Sequence, residues 1–504
     1  MDDNNKNSST ASIHRALIFQ GGGSLGAYEA GAYKSIYEYV VTRMKEQNVV
    51  NEPPFHIVAG TSIGAINSAI LVSYVKENNT WEGSAERIIE FWKYVSTNSF
   101  IDCMQPAFSY YWDLWHGMSS RTATGEAARR YYSTKEYILE GVPNVFRPKR
   151  PTPDLRFFDP TNTWYTFDST PLKESLEKFA KFPIATSYER NEPRLLLVAV
   201  DVQEGSTVVF DSYEKENGVR KSGYGRYGKV KPQINNTSDD QLVQHDHEHV
   251  IRYDEGITSD FVLASCSVPI NYDFTRLEVE DHVLEENESG KEQLQDSGRI
   301  NKNYSNDMVE GSRKENIRYF WDGGISANTP LREAILSHRR YWAYVRNADN
   351  IPGLRIAIVN LHPHKQEYLP PDYDGLMDRK NDIIYHDRTR FDEYAAVILA
   401  DLQVLSKSII KMVEGNSQYK KQIQQLLQKK SKSFRLENDE PMTYGELIDH
   451  IVDVDYVIRF ERKNDFDTIS NKTFDFSKNT IERLIDDGYK ECNEQLAYEL
   501  GKVK

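Results

Sequence analysis

This chain has almost no cysteine. Cys103, Cys266 and Cys492 are three scattered thiols in 504 residues. Their odd number and wide spacing exclude a disulfide framework and fit a reducing compartment. Long apolar runs are also missing. The longest, Leu195 to Val200 and Ala395 to Ala400, fall far short of the roughly 18 residues that a membrane-spanning helix needs. Basic charge is in deficit: 62 Lys and Arg stand against 76 Asp and Glu, a net charge of −14. That argues against general binding to nucleic acid or anionic membrane, since both ask for a basic surface. Apolar residues make up 39% of the chain, enough for a core but below the globular average of roughly 45–50%. The shortfall predicts long exposed insertions. Met1 to Ser12 is rich in Asp, Asn and Ser, so it reads as neither a secretory signal nor a basic transit peptide. These lacks describe an acidic, cytoplasmic protein of α/β size.

What is present begins with alternation. Residues 1–13 read as a disordered tail. Ala16 to Phe19 is a short β run, broken by Gly21 to Gly26. Ala27 to Gln47 then carries Ala30, Tyr33, Ile36, Tyr37, Val40 and Met44 as one stripe at helical spacing. Phe55 to Ala59 is a second strand, and helical patterns follow at 65–75 and 85–95. This βα-βα order predicts a sheet covered by helices. Pro171 to Phe179 reads as a short helix. Arg194 to Val200 reads as a buried strand, with Thr207 to Phe210 as its hairpin partner. Ile317 to Trp321 is a further strand, 329–341 a helix, and Arg355 to Leu361 the last core strand. Beyond about 365 the chain reads as mostly helical. The polar stretches 211–256 and 282–316 are expected to be surface insertions or partly disordered loops. The expected organisation is a tail at 1–13, a main domain at 14–350, and an extension at 351–504 holding the last strand and mostly helices.

The chemistry centres on Gly60-Thr61-Ser62-Ile63-Gly64, a G-x-S-x-G between a strand and a helix. A nucleophilic serine must project from a sharp turn, and glycine on both sides permits close backbone approach. The helix that follows aims its free N–H groups at developing negative charge. A second element, Gly21 to Gly26, also joins a strand to a helix. Taken literally it is the dinucleotide pattern G-x-G-x-x-G, but the next strand ends in the serine turn and carries no ribose-binding acid. The better reading is an oxyanion hole of backbone N–H groups, with Gly22 and Gly23 as donors and Ile63 assisting. A third element, Asp322-Gly323-Gly324, is a candidate base or a plain Asp-Gly turn. A Ser-Asp-His triad stays open by chain order, through His338, His362, His364, His386 or His450.

The three elements in this order resemble the patatin-like phospholipases. The likeness is carried by QGGGSLGAYEAG, AGTSIGAIN, ASCSVP at Ala264 to Pro269, and WDGGISANTPL at Trp321 to Leu331. FDSTPLKESL at 167–176, VAVDVQEG at 198–205 and DRKNDIIYHDRTR at 378–390 are similar to bacterial-type members with an uncharacterised C-terminal extension. The resemblance implies a three-layer α/β/α fold with a mainly parallel sheet, plus a largely helical extension. It implies a Ser62–Asp322 dyad without histidine, an oxyanion hole at Gly21, Gly22 and Gly23, and motif glycines at Gly26, Gly60, Gly64, Gly323 and Gly324. Leu25 replaces the basic residue of plant patatins and marks the bacterial-type subgroup. The activity implied is hydrolysis of lipid esters. The alternatives are acyl transfer through the same acyl-serine, or lipid binding without catalysis.

Three further features have two readings each. Tyr111, Trp112 and Trp115 are an acyl-chain wall or ordinary core aromatics. His245, His247 and His249 alternate as metal ligands would on a strand, or as a solvated loop; no metal or cofactor is assigned. Residues 405–435 carry a local excess of lysine. They form either a solvated face or a transient docking site for an anionic lipid surface, peripheral to the membrane.

Overall fold

The computed structural model describes residues 13–49, 52–99, 123–149, 165–215, 219–224, 247–285, 293–294, 317–348, 350–367, 369–370, 372–415, 417–434, 441–463 and 469–502. Its core is one sheet. The strands are β1 (Ile13–Phe19), β2 (Ile57–Thr61), β3 (Arg194–Asp201), β4 (Ser206–Asp211), β5 (Gly223–Tyr224), β6 (Thr275–Glu278), β7 (Ile317–Asp322), β8 (Gly353–Asn360) and β9 (Val454–Glu461). The order across the sheet is β9-β8-β1-β2-β3-β7-β6, with β4 on β3 and β5 on β4. The run from β9 to β3 is parallel, and β7 and β4 are antiparallel to β3.

Both faces of the parallel strands are buried. Side chains alternate between the two layers: Leu17, Phe19, Val58, Leu195 and Leu197 point into one core, and Ala16, Ile18, Ile57, Leu196 and Val198 into the other. This is why β3 reads as an unbroken apolar run. The helices α1 (Gly26–Glu46), α2 (Ile63–Asn78), α3 (Ser84–Val95), α4 (Thr170–Phe179) and α5 (Ser259–Cys266) supply the first layer. On the other face lies α6 (Leu331–Arg340), through Leu331 and Ala334. The result is the expected three-layer α/β/α arrangement with a mainly parallel sheet.

The segment after 350 is largely helical, as expected, but departs from expectation in its strands. The strand at Gly353–Asn360 is not the last: β9 pairs alongside it, Ile356 facing Val457 and Ile358 facing Arg459. The helices α7 (Tyr373–Tyr385) and α8 (Arg390–Glu414) follow β8. The last helix, α9 (Lys478–Lys502), buries Ile481, Leu484 and Ile485 in the first layer. It lies so close to α1 that a β-carbon on Gly31 would stand 1.9 Å from the Ile485 carbonyl oxygen. The C-terminal region thus supplies an edge strand and a core helix to the main body. Nor is 211–256 all surface loop. Gly223–Tyr224 joins the sheet, and Ile251 and Tyr253 are buried. His247–Val250 pairs with Glu280–Glu285, opposing His249 to Asp281. No helix among the described residues is long and apolar enough to cross a membrane.

Candidate active site

Strand register brings two distant motifs together. Thr61, the last residue of β2, pairs with Val198. Asp322, the last residue of β7, pairs with the next residue of β3, Ala199. The ends of β2 and β7 therefore meet, and the Ser62 hydroxyl donates to Asp322 Oδ2 at 2.5 Å.

Ser62 sits in a strained turn. Its backbone lies at φ 56° and ψ −125°, a region that costs a non-glycine residue about 1–3 kcal/mol unless its surroundings hold it there. Several groups do. The Ser62 N–H donates to Ser265 Oγ at 2.9 Å, and that hydroxyl donates onward to the Val198 carbonyl at 2.5 Å. The Ser62 carbonyl accepts from Cys266 Sγ at 3.1 Å and opens α2 by accepting from Ala65. The flanking glycines allow close approach: a β-carbon on Gly60 would stand 2.2 Å from the Gly64 carbonyl oxygen, and one on Gly64 2.5 Å from that of Phe19. The ASCSVP block thus buttresses the serine turn.

Asp322 is 4% exposed. Burial pushes its carboxyl from 3.8 up to about 6, against the opposing pull of the hydrogen bonds from Ser62 and Gly324. The Gly324 N–H donates to Asp322 Oδ1 at 2.7 Å, which leaves Oδ2 to the serine. Gly323 packs on the Val198 carbonyl, where a β-carbon would stand 2.3 Å away. Cys266 lies in the same cavity, but burial and the Asp322 charge push its thiol well up, so it is no competing nucleophile.

The glycine loop lines the same cavity of about 310 Å³. Gly21 is placed there, but its N–H donates to the Asn328 carbonyl at 3.2 Å. The expected ring of donors therefore narrows: Gly22, Gly23 and Ile63 line the cavity and have no N–H partner among the described residues. Gly23 has φ +58°, and Gly26 begins α1. The Gly26 carbonyl accepts from Asn67 Nδ2 at 3.0 Å.

Apolar lining comes from Phe91, Trp92, Leu172, Tyr272, Phe474 and Phe476. Tyr111, Trp112 and Trp115 lie outside the described residues. Of the histidines eligible for a triad, His338 is tied to the Pro352 carbonyl at 2.8 Å, and only His362 lines the cavity. No histidine hydrogen-bonds to Ser62 or Asp322 among the described residues. The described residues gather no group of three His, Cys, Asp or Glu side chains suited to a metal. The far wall is made by Asn381 and Tyr385 from α7, inside the block at 378–390 that carried only a likeness and no site role, and by Ser470, Asn471 and Thr473 from the segment before α9, which no motif marked. No spacing rule links these residues to the serine motif.

Known proteins bear on this geometry. A family model described as patatin-like phospholipase matches residues 17–335, which contains the serine turn, the glycine loop and Asp322. No curated protein matches the chain. Among solved structures, the crystal structure of VipD from Legionella pneumophila is similar over 98% of this chain and 69% of its own, at 11% identity and a TM-score of 0.26. A likeness at that level carries no argument here.

Proposed function

This chain belongs to the patatin-like phospholipase family, whose members hydrolyse lipid esters, and from that premise we propose that it is a serine acyl hydrolase of lipid esters acting through Ser62 and Asp322. The carrying observation is the 2.5 Å hydrogen bond between them, made inside a mostly apolar cavity. Ser62 Oγ attacks the ester carbonyl carbon, and its proton passes to Asp322. The carbonyl oxygen becomes an oxyanion held by the N–H groups of Gly22, Gly23 and Ile63. Collapse breaks the ester C–O bond, and Asp322 returns the proton to the departing alcohol. Water then attacks the acyl-serine, gives its proton to Asp322, and the acid leaves as Ser62 recovers its proton.

Each part has a physical rationale. A carboxylate at its ordinary pKa is a weak base near neutral pH, and a value of about 6 brings it closer to the working range. One oxyanion donor contributes about 10²–10³ in rate. The apolar lining suits an acyl chain. The protein is cytoplasmic in this reading and visits the bilayer from solution, through the lysines of 405–435. The test is a panel of p-nitrophenyl acyl esters, phospholipids, lysophospholipids and acylglycerols, given to wild type and Ser62→Ala. Turnover that persists in Ser62→Ala overturns the assignment.

A further inference from the structure

His362 lies two residues beyond the end of β8, directly behind the glycine loop. It is 4% exposed, and its Nε2 stands 3.5 Å from the place a β-carbon on Gly22 would occupy. Its Nδ1 lies 3.1 Å from Asp382 Oδ1. Asp382 in turn meets Lys472 Nζ at 2.8 Å, and the same ammonium meets Asp378 at 2.9 Å. All four side chains are buried. Burial pushes the Asp382 carboxyl up, but the hydrogen bond from His362 and the Lys472 charge outweigh it and hold it ionised. An ionised carboxylate only accepts. The His362 proton must therefore sit on Nδ1, and burial keeps the ring neutral. Nε2 is left as a bare acceptor that has no partner among the described residues, on a side chain that lines the cavity.

A fixed lone pair beside the oxyanion cradle is an odd choice. Alone, it would repel the negative charge that the cradle gathers. It becomes favourable when a donor lies between the two. Building on the proposed hydrolase reading, we infer that His362 Nε2 binds a hydroxyl group of the substrate, placed within a few bonds of the scissile ester. The substrate class is then a partly deacylated lipid, such as a lysophospholipid or a monoacylglycerol, and not a fully acylated one. Lys472 and Asp382 act through His362 as positioning residues, because they fix which nitrogen is bare.

The test compares 1-acylglycerol with the propyl ester of the same fatty acid, on wild type, His362→Gln and His362→Asn. Labelling of Ser62 by a fluorophosphonate checks that each variant keeps its site. Glutamine places an acceptor oxygen near the position of Nε2. Asparagine reaches only the position of Nδ1, so it keeps a donor for Asp382 and removes the acceptor. Wild type should favour the glycerol ester about five- to tenfold in kcat/KM, the worth of one neutral hydrogen bond. The preference should lie mainly in KM, persist in His362→Gln and fall to near one in His362→Asn. Equal use of both esters by wild type, or a preference that survives His362→Asn, overturns the inference while leaving the hydrolase reading intact. If wild type cleaves neither ester nor any member of the panel, the hydrolase reading falls and this one with it.

Discussion

Ser24 and Lys472 lie 448 positions apart, yet the Ser24 hydroxyl donates to the Lys472 carbonyl at 2.8 Å. The neighbouring pair is tighter still: a β-carbon on Gly23 would stand 2.4 Å from the Thr473 carbonyl oxygen. The segment before α9 therefore forms the back of the glycine loop.

Gly23→Ala tests that packing. Its φ of +58° disfavours any side chain, and the clash is with backbone, which cannot swing aside. We expect a stability loss of about 1–3 kcal/mol, seen as a lower Tm. In the variant that stays folded, kcat should fall by about 10²–10³, because the loop carries oxyanion donors. An unchanged kcat would show that the loop keeps its donors in place despite the added methyl.

Asp322→Asn keeps the shape of the site and removes the base. Acyl hydrolysis should fall by about 10²–10⁴, with Tm little changed. Fluorophosphonate labelling should slow in Asp322→Asn and vanish in Ser62→Ala. Near-normal hydrolysis by Asp322→Asn would end the dyad assignment.

Acidity gives a third test. Asp322 must be ionised to take the serine proton, and burial holds its pKa at about 6. Below that value its protonated fraction rises, so kcat/KM should fall tenfold per pH unit. The ascending limb of the pH profile should therefore have its midpoint near 6. A midpoint near 4, the ordinary carboxylate value, would contradict the burial of Asp322 in the free enzyme.

Glu29 supplies a stability test outside the chemistry. It is fully buried, accepts from Asn67 at 2.8 Å, and leaves Oε1 without a hydrogen-bond partner among the described residues. Burial pushes its carboxyl well above the ordinary range. Above roughly pH 4.3 the unfolded chain releases this proton while the folded chain keeps it, so this group's contribution to stability declines as pH rises. Glu29→Gln removes that loss. Chemical denaturation at several pH values should show the variant gaining on wild type as pH rises. A constant difference would mean that Glu29 is ionised in the fold.

Membrane contact is open to sedimentation with liposomes. Lys420, Lys421, Lys429 and Lys430 are exposed, and α8 exposes Phe391, Tyr394, Leu405 and Met412. Binding should be stronger on anionic than on zwitterionic vesicles and should weaken when the four lysines become glutamate. Equal binding to both vesicle types would reduce the lysines to a solvated face.

Much of this architecture is legible in residue order alone. The serine turn announces itself because strand, glycine, serine and helix are neighbours in the chain, and local sterics demand glycine there. The apolar run at 195–200 reads as a doubly covered strand because its burial leaves no room for polar alternation. α9 is legible only as part of a mostly helical extension, and β9 is missed, since Arg355 to Leu361 reads as the last core strand. A strand pattern does not name its partner, and β9 joins β8 across roughly a hundred intervening residues.

The order of motifs is a local property, and with it came the serine, the glycine loop and the candidate base. Their meeting is not local. It depends on Thr61 and Asp322 pairing with consecutive residues of β3, a register set by the buried pattern of the whole sheet. The commitment of the Gly21 N–H to Asn328, the raised pKa of Asp322 and the bare nitrogen of His362 likewise arise only in the folded chain. Each depends on burial or on a partner far away in sequence, and neither burial depth nor long-range partners are written in any short stretch of residues.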